Sequence, residues 1–212
     1  VKNALGLLKL GLLASFLLAA QATLNYAHAT TILMFGDSLL SGYKLQPGES
    51  VPDRVQALLS EKGYQVSIVN GGVPGNTTGD GLARLPSMLR QYRPEVVFLG
   101  LGANDGLRSL PIEVTRTNLD AMLSMLQQYG GLTIFSAVYF PEGFRNLYRP
   151  EFNALYPELA RKYGLPLYPF LLDGVYGYPE MMLPDGIHPS AKGADLIAKR
   201  IAYYLATQVL NR

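Results

Sequence analysis

Beyond residue 29 the chain alternates short apolar runs with longer stretches in which apolar residues recur every three or four positions. Thr31–Phe35, Gln65–Val69, Val96–Leu101, Leu132–Val138 and Pro166–Tyr168 are the short runs, and they read as strands. Val51–Glu61 places Val51, Val55, Leu58 and Leu59 on one helical face. Asp80–Tyr92 does the same with Leu82, Leu85 and Leu89, and Val114–Tyr129 with Leu119, Met122, Leu123 and Leu126. Glu151–Tyr163 and Ala191–Val209 read as further helices, the last closing the chain. Pro86 falls inside the second helix and predicts a bend or restart there, because proline has no N–H to donate. Alternating strands and helices joined by short connections predict a parallel sheet covered on both faces. In such sheets ligands bind beyond the carboxyl ends of the strands. The polar clusters of this chain follow Phe35, Val69 and Leu101, at those ends.

The first 29 residues have a different character. Their only charges are Lys2 and Lys9, followed by the uncharged apolar run Leu10–Ala20 and by Ala27-His28-Ala29. This is the pattern of a secretory signal, with cleavage expected after Ala29 and one domain over 30–212. A membrane anchor is the competing reading, but spanning a bilayer takes about 20 apolar residues and this run is shorter. The expectation is therefore a periplasmic or secreted protein with no stable membrane anchor after cleavage.

Charge and cysteine content narrow the chemistry. The two leader lysines account for the whole net charge of +2, since without them 16 basic residues face 16 acidic ones. No clustered basic surface is in prospect, so no nucleic-acid partner is expected. The chain has no cysteine, which excludes a disulfide framework, a thiolate nucleophile and a Cys-ligated metal. A body of this length, in a chain that is 49% apolar, can rely on its core.

Histidine is scarce: His28 lies in the leader, leaving His188 as the single imidazole of the body. It sits in Leu183-Pro184-Asp185-Gly186-Ile187-His188-Pro189, a segment poorly suited to packing a core residue and well suited to fixing a side chain. Asp185, three residues upstream, is within reach of the ring, and a carboxylate at Nδ1 fixes the tautomer of a catalytic base. Gly36-Asp37-Ser38-Leu39 follows the first strand and puts a serine over the crevice. Asn70-Gly71-Gly72-Val73-Pro74-Gly75-Asn76 follows the second strand, and Gly102-Ala103-Asn104-Asp105 follows the third. Both can supply N–H donors to a bound anion. Taken singly, each of these three segments is ordinary turn chemistry.

Together they resemble the SGNH/GDSL hydrolases, in which Ser, Gly, Asn and His lie in separate blocks in this order. The resemblance spans Thr31 to the closing helix and is closest to the bacterial periplasmic thioesterase/lysophospholipase/arylesterase group. Supporting stretches are Ser41-Gly42-Tyr43 after the serine block, Gly81-Leu82-Ala83-Arg84-Leu85-Pro86, and Gly106-Leu107-Arg108 after Asp105. Ala103, where close relatives often have Gly, and Asn76, where they have an acidic residue, are departures. The resemblance implies a three-layer α/β/α flavodoxin-like fold with about five parallel strands. It implies Ser38 as nucleophile, His188 as base and Asp185 as its orienter, with Ser38 N–H, Gly75 N–H and the Asn104 amide as oxyanion donors. It also implies hydrolysis of acyl or aryl esters, and of acyl thioesters or lysophospholipids, through an acyl-enzyme that needs no metal or organic cofactor. The apolar loops Leu107–Ile112 and Tyr139–Phe144 are candidates for an acyl groove, with Leu107, Leu110, Pro111, Tyr139, Phe140 and Phe144 as substrate-binding residues. Two other readings compete: a carbohydrate deacetylase with the same catalytic residues, disfavoured by the absence of Trp, and a non-catalytic flavodoxin-like binding module.

Overall fold

The computed structural model of the protein describes residues 29–143 and 149–211. Residues 1–28 of the expected signal segment and Phe144 lie outside the described residues. One parallel sheet is built from β1 (Thr30–Gly36), β2 (Val66–Gly72), β3 (Val96–Gly100), β4 (Leu132–Ser136) and β5 (Leu167–Tyr168), in the order β2-β1-β3-β4-β5. The helices are α1 (Ser38–Ser41), α2 (Val51–Glu61), α3 (Thr78–Tyr92), α4 (Ala103–Leu107), α5 (Ile112–Tyr129), α6 (Pro150–Tyr163) and α7 (Ala191–Leu205).

Successive strand residues point to opposite faces, and in β1, β3 and β4 both faces are buried. Ile32, Met34, Val96, Phe98 and Ile134 pack under α2 and α7, against Val55, Leu59, Ile197 and Ile201. Leu33, Phe35, Val97, Leu99 and Phe135 pack under α3, α5 and α6, against Leu85, Leu119, Leu123 and Leu155. This double burial explains why the strands read as unbroken apolar runs. The chain leaves β1 toward β2 by way of α2 on one face, then crosses to β3 by way of α3 on the other. The reversal opens a crevice between the carboxyl ends of β1 and β3. Ser38 follows β1 and Asn104 follows β3, so both stand at this switch point.

A row of glycines shapes that end of the sheet. Gly36 is in register with Gly72 on one side and Gly100 on the other. A Cβ on Gly72 would come within 2.4 Å of the Ser41 amide nitrogen. The bare strand ends thus let α1 settle directly over the sheet.

The structure departs from the sequence-based expectation at several places. The Asn70-Gly71-Gly72 segment, expected as loop, belongs to β2, because ladder pairing uses backbone alone and the row of glycines permits it. Helix α3 runs unbroken through Pro86; the Thr77–Asp80 capping box and buried Leu85 and Leu89 hold it on either side of the missing N–H. β4 stops at Ser136 instead of Val138, since its neighbour β5 offers only two residues to pair with. The closing α-helix ends at Leu205 and passes into a wider π turn, Ala206–Leu210. There the Thr207 hydroxyl donates to the Tyr203 carbonyl at 2.9 Å, competing with the regular backbone ladder.

Candidate active site

Ser38 opens α1, the four-residue helix that follows β1. Asp37 is its N-cap and accepts from the Leu39 amide at 3.0 Å, while Gly42, at φ +81, turns the chain out of the helix. His188 arrives from the far end of the chain on a braced loop. The Leu183 amide donates to the His188 carbonyl at 2.8 Å, the Ser190 amide to the Met181 carbonyl at 2.8 Å, and Ser190 caps α7. Gly186 takes φ +66, a left-handed turn that glycine adopts without strain.

These segments put three side chains in line. Ser38 Oγ lies 2.8 Å from His188 Nε2, and His188 Nδ1 lies 2.9 Å from Asp185 Oδ2. The other oxygen of Asp185 accepts from the backbone amides of Ile187 and His188 at 2.9 and 3.0 Å. Partial burial disfavours the charged carboxylate, but the backbone donors and the imidazole outweigh it and hold Asp185 down to about 2. The ring of Tyr43 rests against the imidazole, with centroids 4.5 Å apart and planes tilted by 43°.

The segment after β3 carries Asn104. Gly102 precedes it at φ +119, and a Cβ there would strike the Tyr156 hydroxyl at 2.1 Å, so only glycine fits. Tyr156 itself donates to the Leu101 carbonyl at 3.0 Å. Asp105 is fully buried and accepts from the Thr78 amide at 2.8 Å, from the Thr78 hydroxyl, and from Thr115 at 3.3 Å. This buried carboxylate ties the start of α3 to the start of α5. The Asn104 amide donates to the Asn76 carbonyl at 2.9 Å and faces Asp37 Oδ2 at 3.5 Å. Gly75 immediately precedes Asn76, takes φ +78, and its carbonyl accepts from Arg108 at 2.7 Å. Gly71 and Gly72 are engaged in β2, which separates them from Gly75 in its turn.

Asp37 is itself unusual. It is buried, and desolvation raises its carboxyl to about 6, reinforced by the charge of Asp105 and opposed by the Leu39 amide and Arg84.

A cleft opens beside Ser38 and Asn104. Leu107, Tyr139 and Phe140 line it as the sequence reading expects; Leu110 and Pro111 do not. The Leu110 amide turns back to the Asp105 carbonyl at 2.9 Å, and Pro111 leads away into α5, which takes both off the cleft. The opposite wall comes from Phe170, Leu171, Leu172, Tyr176 and Ile187, none of which the sequence reading proposed. Tyr43 and Arg84 belong to Ser41-Gly42-Tyr43 and Gly81-Leu82-Ala83-Arg84-Leu85-Pro86, whose sequence assigns them no role. Tyr43 meets His188, 145 residues away, and Arg84 meets Phe35, 49 residues away, contacts that no local pattern reveals. Among the described residues no group of His, Asp or Glu is arranged to hold a metal ion.

A hydrogen-bonded serine, imidazole and carboxylate stand at the switch point of a parallel α/β sheet and beside an apolar cleft, the arrangement of groups that serine hydrolases use. The chain belongs to the GDSL-like lipase/acylhydrolase family, which it matches over residues 34–196. It is 38% identical to an arylesterase of Vibrio mimicus over 82% of its own length and 87% of the relative's. It is 36% identical to thioesterase 1/protease 1/lysophospholipase L1 of Escherichia coli, over 90% of each chain. Among solved structures, the psychrotrophic esterase EstA from Pseudoalteromonas sp., inhibited by monoethylphosphonate, superposes with a TM-score of 0.80 at 30% identity. That match covers 86% of this chain and 100% of the other. The family membership makes the protein a hydrolase of the esterase type and removes the binding-module reading.

Proposed function

We propose that the protein hydrolyses acyl and aryl esters through an acyl-enzyme on Ser38, with acyl thioesters and lysophospholipids as further substrates. The observation that carries this is the unbroken relay from Ser38 Oγ through His188 to Asp185, at 2.8 and 2.9 Å. His188 Nε2 takes the Ser38 proton as Oγ attacks the acyl carbonyl. Asp185 keeps the proton on Nδ1 and stabilises the imidazolium that forms. The Ser38 and Gly75 amides and the Asn104 side chain serve as donors to the tetrahedral oxyanion. His188 then protonates the leaving alcohol, phenol or thiol, and water activated by the same ring releases the acid.

The acyl part of the substrate enters the cleft walled by Leu107, Val138, Phe140, Leu171 and Ile187, whose apolar side chains favour a hydrocarbon or aryl group over a sugar. The names of the relatives, arylesterase and thioesterase/lysophospholipase, point the same way. Residues 1–29 act as an export signal under this reading, and the hydrolase works outside the cytoplasm. No helix among the described residues is long and apolar enough to cross a membrane.

The test is a panel of p-nitrophenyl esters of increasing chain length, with acyl-CoA, lysophospholipid and an acetylated glycan alongside, run on wild type and Ser38→Ala. Turnover of the esters, its loss in Ser38→Ala, and labelling of Ser38 alone by a phosphonate ester are expected. Substantial turnover by Ser38→Ala would overturn the mechanism, and activity confined to the acetylated glycan would overturn the substrate class.

A further inference from the structure

The three proposed oxyanion donors follow three different strands. Ser38 comes after β1, Gly75 after β2 and Asn104 after β3. No single element fixes their spacing, yet a donor displaced by about 1 Å costs on the order of 10² in rate. One side chain spans the gap. Arg84, on α3, donates through Nη2 to the Gly36 carbonyl at 2.7 Å, two residues before the nucleophile. Through Nε it donates to Asn76 Oδ1, also at 2.7 Å. The Asn76 carbonyl in turn accepts the Asn104 amide at 2.9 Å. The guanidinium is stacked over the Phe35 ring at 3.9 Å, so it cannot swing freely. Burial lowers it to about 10, with Asp37 and Asp80 resisting, which leaves it charged at neutral pH.

From this chain of bonds we infer that Arg84 is a positioning residue of the oxyanion hole: its fork sets the distance between the turn that carries Ser38 and the loop that carries Gly75 and, through the Asn76 carbonyl, anchors Asn104. The inference rests on the proposed roles of Ser38, Gly75 and Asn104. The geometry demands arginine. Two nitrogens of one rigid plane reach acceptors on separate segments while the same plane stacks on an aromatic ring. A lysine ammonium offers a single point on a flexible stem and cannot do all three. Asn76 is the other half of the device, since its side chain takes the arginine and its backbone takes Asn104.

The experiment is a double-mutant cycle in the full-length protein. Arg84→Lys, Asn104→Ala and the pair are assayed with a p-nitrophenyl ester for kcat and KM, with thermal melting as the check on folding. Arg84→Lys is expected to lower kcat by about 10²-fold with KM within about threefold, because the oxyanion exists only in the transition state. In the Asn104→Ala background the same substitution should cost less than about fivefold, since residues that act through one another are not additive. Full additivity, or an unchanged kcat in a folded Arg84→Lys protein, would overturn the inference and leave Arg84 a stabilising residue only. If Arg84→Lys does not fold, Asn76→Ala takes its place in the cycle and the same two outcomes decide. Ser38→Ala is run in parallel. Turnover there refutes the underlying site, whereas an inactive Ser38→Ala beside an unaffected Arg84→Lys refutes only the positioning role.

Discussion

Asp185→Asn tests the relay at the point where its geometry is best defined. One oxygen of Asp185 accepts from the amides of Ile187 and His188, and the other faces His188 Nδ1 at 2.9 Å. An asparagine would keep its carbonyl oxygen on the two backbone amides, because reversing the side chain would set its NH₂ against two N–H donors. Its NH₂ would then point at Nδ1 and force that nitrogen to accept, placing the ring proton on Nε2, toward Ser38. This is the tautomer that cannot take the nucleophile's proton, and the expected loss in kcat is roughly 10³–10⁴ with KM little changed. The substitution also has a cost in stability. Asp185 ionises at about 2 in the folded protein against 3.8 when unperturbed, which amounts to roughly 2 kcal/mol before solvent screening of its partly exposed carboxylate. A depressed carboxylate stabilises the fold at all pH values above about 4, and that stability is lost as pH falls toward 2. Wild type should therefore lose stability in acid relative to Asp185→Asn, and the two denaturation curves should converge between pH 4 and 2. The assays are steady-state kinetics at neutral pH and urea unfolding across that window. A variant that keeps more than about a tenth of wild-type kcat would refute the tautomer argument, whatever the stability data show.

Asn104→Ala should lower kcat by about 10²–10³ while KM stays within a few-fold; a risen KM with kcat intact would make Asn104 a ground-state binding residue. Asp37 makes the opposite pH prediction from Asp185. Its carboxyl is raised to about 6, so the folded protein binds that proton more tightly than the unfolded chain and loses stability as pH rises from about 4 to 6. Asp37→Asn, which can still cap α1, should gain on wild type by up to about 3 kcal/mol across that interval in chemical denaturation; parallel curves would refute it. Tyr43→Phe keeps the ring against His188 and should hold kcat within about twofold. Tyr43→Ala should lower it by about three- to tenfold, the scale of one aromatic contact, and equal activities for the two variants would remove Tyr43 from the site's support.

How much of this was legible in the sequence depended on whether the signal was local. The strands and long helices were, because burial on both sheet faces writes itself as unbroken apolar runs and helical stripes. His188 and Asp185 were legible because the body has one imidazole and its carboxylate lies three residues away on a segment stiffened by proline and glycine. Gly71 and Gly72 misled, since residues that favour turns can equally end a strand where a helix must pack close. The cleft was half legible. Leu107, Tyr139 and Phe140 stood out as apolar loop residues next to polar strand ends, whereas Leu171, Leu172 and Ile187 reach the cleft only through the tertiary fold. Arg84 was hidden for the same reason: on its own helix it is one more polar position, and its acceptors lie in two other segments.

The resting bonds of Asn104 bear on how the proposed oxyanion donor can be both held and available. A carboxamide has two N–H groups. One is anchored on the Asn76 carbonyl at 2.9 Å, which fixes the plane of the amide. The other faces Asp37 at 3.5 Å, beyond the 2.7–3.2 Å of a well-formed bond, so little is given up when an oxyanion takes it. A tight bond to a charged Asp37 would work against the proposed mechanism twice. It would stabilise the ground state that the donor must leave, and it would set a full negative charge beside the one that develops. The 3.5 Å separation limits the first effect. The same buried carboxyl still caps α1 through the Leu39 amide. Asp37 thus caps the helix of the proposed nucleophile and holds the proposed Asn104 donor only loosely, and the anchoring is left to Asn76, whose side chain is held by Arg84.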